Sequence, residues 1–277
     1  MLIATRETAR MAIGRRLGGE VKRAVRSTLA RRGYELRRLP VDPEPPPSSS
    51  ESSSPTPPAV AEQMHAYFER ALIVEDRHQR QTVETVAMLR RKYETPVLGD
   101  VRVWELVELL ARCVDPSDGR LFGASQQFHV LQMLEAMERD GADADFLLAA
   151  LVHDIGKVLL LFGEDPANVV CMTRPIGTGE PGVGLDHAAL QWNHDEFGYS
   201  RLVEHVPEHL AWLVRFHSIA PECEPLMDAR DRDYADRYLR RFAYYDHETK
   251  TPFSLPTRRI EDYRDLVEEA FPKPIRF

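Results

Sequence analysis

Cysteine is scarce in this chain, and the three that occur are far apart. Cys113, Cys171 and Cys223 form no Cys-x-x-Cys pair, and no secretory apolar segment is expected at the start. An odd and sparse set of cysteines is typical of a protein in a reducing compartment, so we expect a cytoplasmic protein. We interpret each cysteine as a small core residue rather than a ligand or a nucleophile.

Long apolar runs and alternating strand patterns are also missing. No stretch reaches the roughly 18 apolar residues of a membrane span, and a hydrophobic content of 43% is ordinary for a soluble globular protein. From about Ala61 onward, apolar residues recur at intervals of three and four, which indicates amphipathic helices. We therefore predict an all-α fold, with helices near residues 64–72, 83–89, 103–110, 127–139, 146–162, 186–204, 207–218, 231–245 and 259–270.

Positive charge is concentrated at the start, although the whole chain has a net charge of −8. Residues 1–39 contain eleven Lys or Arg and three Glu. Their apolar spacing permits an amphipathic helix on an anionic membrane surface; a solvated, disordered tail and an organelle-targeting peptide are the alternatives. Residues 40–60 are rich in Pro and Ser and read as a linker. We expect the folded domain over residues 61–277, and no nucleic-acid partner.

The most informative segment is Leu151-Val-His-Asp-Ile-Gly-Lys-Val158, which places His153 beside Asp154. An isolated His-Asp pair proves little, but further candidate metal ligands lie in other apolar segments: His129, His194, His217 and Asp246. Burying four imidazoles and two carboxylates without partners would be costly, and two cations resolve that cost. The mixed nitrogen and oxygen set suits iron, manganese or zinc.

These segments together resemble the inositol oxygenase family. The resemblance rests on His153-Asp-Ile-Gly-Lys-Val-Leu-Leu-Leu-Phe-Gly-Glu164, Trp192-Asn-His-Asp-Glu196, Arg215-Phe-His-Ser218, Asp246 with Lys250, and Gln81-Thr-Val-Glu-Thr-Val86, in this order along the chain. It implies an HD-domain-like helical bundle with two iron ions, in a mixed-valent Fe(II)/Fe(III) pair. It also implies an oxygenase that uses O2 for oxidative ring or C–C cleavage of a cyclic polyol, with myo-inositol to D-glucuronate as the leading reaction.

Site residues carry over from this resemblance. One iron is expected at His129, His153 and Asp246, the other at His194 and His217, and Asp154 is expected to bridge them. Asp154 and Lys157 receive catalytic roles, and the residues expected to contact substrate are Lys157, Ser218 and Lys250.

The expected substrate pocket departs from the family pattern. Cys171-Met172 stands where the family has a Gly-Asp pair that holds the polyol, and residues 173–186 form a shorter segment. A family acid that precedes the His129 helix cannot be aligned securely to Asp115 or Asp118. A diiron oxygenase acting on another diol or a phosphonate, an HD-domain metal-dependent phosphohydrolase and a non-enzymatic metal-bound scaffold therefore stay as alternatives.

Overall fold

Helices account for most of the chain that the structure describes. The structure is a computed structural model that describes residues 2–5, 11–13, 35–38 and 58–277. Two units are distinguished, Met1–Ala66 and Tyr67–Phe277. The α-helices are α1 (Pro58–Gln79), α2 (Val83–Lys92), α3 (Val103–Leu109), α4 (Gln126–Arg139), α5 (Ala144–Val152), α6 (Pro166–Val169), α7 (His194–Leu202), α8 (Glu208–Phe216), α9 (Ala229–Tyr234), α10 (Arg240–Glu248) and α11 (Arg264–Ala270). The predicted all-α class is confirmed.

The first unit contains three short strands. β1 (Leu2–Thr5) lies between β2 (Met11–Ile13) and β3 (Glu35–Arg38), and both pairings are antiparallel. The amphipathic helix that the spacing of residues 1–39 permits is absent at these three strands. Ile and Thr favour strands, and a spacing that permits a helix does not require one. The side chains of residues 1–39 and the linker at 40–57 lie outside the described residues, so the membrane contact and the linker stay predictions.

Polar caps fix where the helices that bear the site begin. The side chains of Ser125, Asp143 and Asn193 each accept a hydrogen bond from a backbone N–H in the first turn of α4, α5 and α7, respectively. Such caps satisfy N–H groups that have no partner within the helix.

No helix in the described part of the chain is long and apolar enough to cross a bilayer.

Three predicted helices differ from the structure in ways that matter for the site. The helix expected over 186–204 begins only at His194, because Asn193 caps it. A turn at residues 185–187 precedes it, followed by non-helical backbone in which Gln191 N–H donates to the Arg174 carbonyl. The helix expected over 146–162 is interrupted at His153 and Asp154, and a 3₁₀-helix follows at Ile155–Phe162. The one expected over 231–245 contains a π-helical segment at Ala235–Leu239.

The core of the second unit includes the chain's last residues. β4 (Asp100–Val101) pairs antiparallel with β5 (Ile275–Arg276). Phe277 continues this pairing, because its N–H donates to the Gly99 carbonyl and its carbonyl accepts from Leu98 N–H. Its ring is fully buried and packs edge-to-face on Phe197 of α7, with ring centroids 5.0 Å apart. The C-terminus therefore supports the helix that begins at His194.

We expect Phe277→Ala to lower the free energy of unfolding by about 3–5 kcal/mol, because it leaves a cavity beside Phe197. The control is Leu255→Ala, since Leu255 is 79% exposed and such substitutions usually change stability by less than about 0.5 kcal/mol. Urea unfolding of both variants measures the difference. Equal stability for the two variants would contradict the buried position of Phe277.

Candidate metal centre

The predicted ligands lie within two helices and at the ends of three others. His129 lies on α4 and Asp246 on α10. His153 follows the last residue of α5, His217 follows the last residue of α8, and His194 is the first residue of α7. Asp154 occupies the break between α5 and the 3₁₀-helix that follows. Five elements thus converge on one point, and all six side chains are buried there.

Asp154 is at the middle of this cluster. Its Oδ1 lies 3.0 Å from His194 Nε2 and 3.7 Å from His217 Nε2. Its Oδ2 lies 3.3 Å from His153 Nε2. Asp154 therefore faces three imidazoles with two oxygens, which is the geometry that a bridging carboxylate needs.

Asp246 connects the remaining histidine, His129, with His153. Its Oδ1 lies 2.8 Å from His129 Nε2 and 4.0 Å from His153 Nε2. Within the described residues, donor atoms that lie within 4.8 Å of one another fall into three groups: His129, His153 and Asp246; His153, Asp154 and His217; and His194, Asp195 and His217. The structure thus brings together all six side chains that the sequence predicted.

Backbone carbonyls orient three of the imidazole rings. Nδ1 of His153, His194 and His217 lies 2.9, 2.7 and 2.9 Å from the carbonyls of Ala150, Val169 and Val214, respectively. A carbonyl oxygen only accepts, so each Nδ1 carries a proton, and Nε2 is the ring nitrogen that faces the cluster. This arrangement is typical of metal-binding histidines.

Several polar atoms at the centre have no hydrogen-bond partner within the described chain. They include Nε2 of His153 and His194 and Oδ1 of Asp154 and Asp195. Buried polar atoms in native proteins are nearly always paired, so unpaired atoms that converge on one point need an explanation. Cations coordinated by these lone pairs supply it, and the residues present fit a metal site.

Asp195 belongs to the cluster although the sequence analysis did not select it. Its Oδ1 lies 2.9 Å from His194 Nε2 and 3.5 Å from His217 Nε2, and its carboxylate is 1% exposed. Ser218, a predicted substrate contact, donates its hydroxyl to Asp195 Oδ2 at 2.6 Å. The sequence signal was present, since His194-Asp195 repeats the dipeptide His153-Asp154.

The two predicted substrate lysines are buried beside the metal ligands. Lys157 Nζ lies 3.0 Å from Asp154 Oδ2 and 3.2 Å from Asp115 Oδ2, and it donates to Gln126 Oε1 at 2.9 Å. Burial acts to lower the pKa of Lys157, but the carboxylates of Asp154 and Asp115 outweigh it and raise the pKa above its usual value. These contacts favour the charged form of Lys157, although its side chain is buried.

Lys250 is held in the same way on the other side of the ligand set. Its Nζ lies 3.0 Å from Asp246 Oδ1 and 3.2 Å from Asp118 Oδ2. Burial opposes its charge, and the carboxylates of Asp246 and Asp118 again raise the pKa above its usual value. Each lysine thus links a predicted metal ligand to an acid that the sequence could not align, Asp115 or Asp118.

Negative charge exceeds positive charge at this centre. Five carboxylates lie in the linked set, those of Asp115, Asp118, Asp154, Asp195 and Asp246, against the two ammonium groups of Lys157 and Lys250. Uncompensated buried carboxylates are strongly unfavourable. About three negative charges therefore remain for bound cations to neutralise.

A glycine allows the two halves of the centre to meet. A Cβ on Gly156 would lie 2.1 Å from the carbonyl oxygen of His194, a distance that no side chain tolerates. Gly156 therefore lets the segment that carries Asp154 lie directly against the start of α7. Without this contact, Asp154 could not approach His194 Nε2.

Cys171 has an unusual backbone conformation for a cysteine. Its φ is +80°, in the left-handed region that favours glycine. Its carbonyl accepts a hydrogen bond from the side chain of Asn193, the residue that caps α7. The family has glycine at this position according to the resemblance above. The backbone thus keeps a glycine-like shape although the side chain has changed.

A helical domain that buries four histidines together with several carboxylates at one point has the residues of an enzyme metal site. Comparison with known proteins specifies the family: the family model "Myo-inositol oxygenase" matches residues 70–180 and 168–277. The chain belongs to the myo-inositol oxygenase family and is an oxygenase.

Curated relatives agree with this assignment. The chain is 31% identical to inositol oxygenase 2 of Arabidopsis thaliana, over 72% of this chain and 76% of the relative. It is 30% identical to a probable inositol oxygenase of Oryza sativa, over 72% and 78% of the two chains. It is 27% identical to inositol oxygenase of Homo sapiens, over 70% and 82%. The family resemblance drawn from the sequence is confirmed.

We expect Gly156→Ala to separate the Asp154 segment from α7 and to lower metal content by at least half, because the added methyl would meet the His194 backbone. The matched control is Gly198→Ala on α7, where the nearest atom to an added Cβ is 3.7 Å away. Metal analysis and thermal unfolding of both purified variants test this. Full metal content in Gly156→Ala would show that the close contact is not required.

Proposed function

We propose that this centre holds two iron ions in a mixed-valent Fe(II)/Fe(III) pair and that the enzyme oxidises myo-inositol to D-glucuronate with O2. The observation that carries the proposal is the set of three imidazoles whose Nδ1 atoms are bound to carbonyls while their Nε2 atoms face Asp154. Family membership supports iron, O2 and a polyol substrate. When bound, the iron pair supplies Lewis acidity for a substrate hydroxyl and electrons for O2.

The proposed ligand assignment follows the clusters. His129, His153 and Asp246 would hold one iron, and His194 and His217 the other, with Asp154 between them. Asp195 Oδ1 lies close enough to Nε2 of His194 and His217 to serve as a further ligand of the same ion. With Asp195 as a ligand, each iron would have three protein ligands besides the shared Asp154.

The lysines suit the binding of a neutral polyhydroxylated ring. Lys250 contacts two carboxylates among the described residues, which leaves one of its three N–H donors for a substrate hydroxyl. Lys157 already meets three acceptors, so a substrate hydroxyl would replace one of them. We therefore assign both ammonium groups to the binding of substrate hydroxyls.

Ser218 has a defined polarity in this scheme. Its hydroxyl proton is directed to Asp195, so its oxygen lone pairs are left to accept a hydrogen bond from a substrate hydroxyl. We therefore propose Ser218 as an acceptor, and Lys157 and Lys250 as donors. A cyclic polyol needs both kinds of partner, because an unpaired buried hydroxyl costs about 1–3 kcal/mol.

The cytoplasmic location stays a prediction from cysteine usage.

Metal analysis of Asp154→Ala and Lys157→Ala separates ligand from substrate residue. We expect Asp154→Ala to lose both irons, because the shared carboxylate is gone, whereas Lys157→Ala keeps them and loses substrate affinity. Iron content and the low-temperature EPR signal of a coupled Fe(II)/Fe(III) pair measure the outcome. Two irons retained in Asp154→Ala would contradict the bridging role.

The reaction itself is tested by oxygen uptake of the iron-loaded enzyme with a panel of cyclitols, other diols and phosphonates. We expect uptake with myo-inositol and formation of one D-glucuronate per O2 consumed. The departure at Cys171-Met172 replaces an acidic acceptor, so affinity for myo-inositol is expected to be lower than with an acid there. Turnover of phosphate esters by a zinc-loaded enzyme, without oxygen uptake on any polyol, would instead establish the phosphohydrolase.

A further inference from the structure

The loop that carries Asp115 and Asp118 lies between the two substrate lysines. We name residues 115–122 the acid loop. Asp115 Oδ2 lies 3.2 Å from Lys157 Nζ, and Asp118 Oδ2 lies 3.2 Å from Lys250 Nζ. The loop thus reaches both lysines with one carboxylate each. If the loop moved, the carboxylates that contact Lys157 and Lys250 would move with it.

Hydrogen bonds within the loop orient these carboxylates. Asp115 Oδ1 accepts from the backbone N–H and the hydroxyl of Ser117, at 2.8 and 2.6 Å. Asp118 Oδ1 accepts from Arg120 N–H at 3.0 Å. In each acid one oxygen therefore binds the loop and the other faces a lysine. The position of the carboxylates depends on the position of the loop backbone.

Tyr67 of α1 holds that backbone from outside. Its hydroxyl oxygen lies 2.8 Å from the carbonyl of Asp115 and 2.8 Å from the carbonyl of Asp118. One O–H proton is shared between two acceptors, so a single side chain fixes the spacing of both acids. Burial, followed by the charges of Asp115 and Asp118, raises the pKa of Tyr67 above its usual value. A raised pKa favours the protonated phenol, which is the form that donates to the two carbonyls.

Aromatic packing fixes the ring of Tyr67 against the same loop. Phe122, at the end of the acid loop, has its ring centroid 6.3 Å from that of Tyr67 and 5.8 Å from that of Phe68. Phe122 has a φ of +48°, a strained conformation that such packing must maintain. On the other side, Arg120 donates to the carbonyl of His247, the residue after Asp246. The loop is therefore attached to both α1 and α10.

We propose that Tyr67 is a positioning residue for substrate binding, which acts by holding the acid loop so that Asp115 and Asp118 fix the two lysines. This inference rests on the proposed function, because it assigns Lys157 and Lys250 to the polyol. Tyr67 itself touches neither a metal ligand nor a lysine in the contacts described above. Its effect is expected in substrate affinity, since lysine contacts to spectator hydroxyls act equally in the ground and transition states.

The test is Tyr67→Phe, which keeps the ring and removes the hydroxyl. With iron-loaded enzyme and myo-inositol, we expect KM to rise about tenfold while kcat changes less than twofold. Amide hydrogen exchange without substrate should become faster in residues 115–122 and stay unchanged in α4 and α7. The control is Tyr263→Phe, a buried tyrosine of the 3₁₀-helix Ile260–Tyr263, which should leave KM and exchange in the acid loop unchanged.

Four outcomes would overturn the proposal. They are an unchanged KM, a fall in kcat alone, unchanged exchange in the acid loop, and faster exchange throughout the domain, which would indicate a general structural role. The exchange measurement needs no turnover, so it judges the loop even if the wild-type enzyme proves inactive on every polyol. Inactivity of the wild type would count against the proposed function, whereas unchanged exchange in Tyr67→Phe would count against the role of Tyr67.

Discussion

Burial of carboxylate charge at one point of a helical domain is the constraint on which this structure depends. Asp154, Asp195 and Asp246 lie among four imidazoles, and only two lysines offset them and their neighbours Asp115 and Asp118. Such a set is unstable alone, because each charge has lost its hydration. The surrounding helices are therefore arranged to complete it: backbone carbonyls orient the imidazoles, and Gly156 permits the contact that brings Asp154 to His194.

The arrangement separates two tasks. In the proposed scheme, the histidines and their carboxylates face inward and offer lone pairs, whereas the lysines and Ser218 offer hydrogen-bond donors and an acceptor to a neutral substrate. Lys157 and Lys250 belong to both tasks, since each contacts one proposed metal ligand and one loop acid. A sequence change such as that at Cys171-Met172 can therefore occur while the four histidines and their carboxylates stay in place. The family membership and the altered pocket are compatible for this reason.

The clustering of the six proposed metal ligands could be predicted from the sequence, because each of these residues has a local signal. His153-Asp154 is a dipeptide, and His129, His194, His217 and Asp246 each lie in an apolar segment that matches a family string. Asp195 was missed although it follows His194 directly, because only one residue of that string was read as a ligand. The helix expected over 186–204 was placed too early because the capping role of Asn193 outweighed the apolar spacing before it.

The roles of Asp115, Asp118 and Tyr67 could not be predicted in the same way. Asp115 and Asp118 lie in an irregular loop whose alignment is insecure, and their roles depend on contacts with Lys157 and Lys250 that are far away in the chain. Tyr67 has only an apolar helical spacing in the sequence, while its hydroxyl contacts arise from the packing of α1 on the loop. Tertiary contacts of this kind leave no pattern in a single sequence.

The most direct measurement is a crystal structure of the iron-loaded protein with anomalous differences collected at the iron edge. The account predicts two iron peaks about 3–4 Å apart, one beside His129, His153 and Asp246 and one beside His194 and His217, with Asp154 bound to both. A single peak, or two peaks that do not share Asp154, would contradict it.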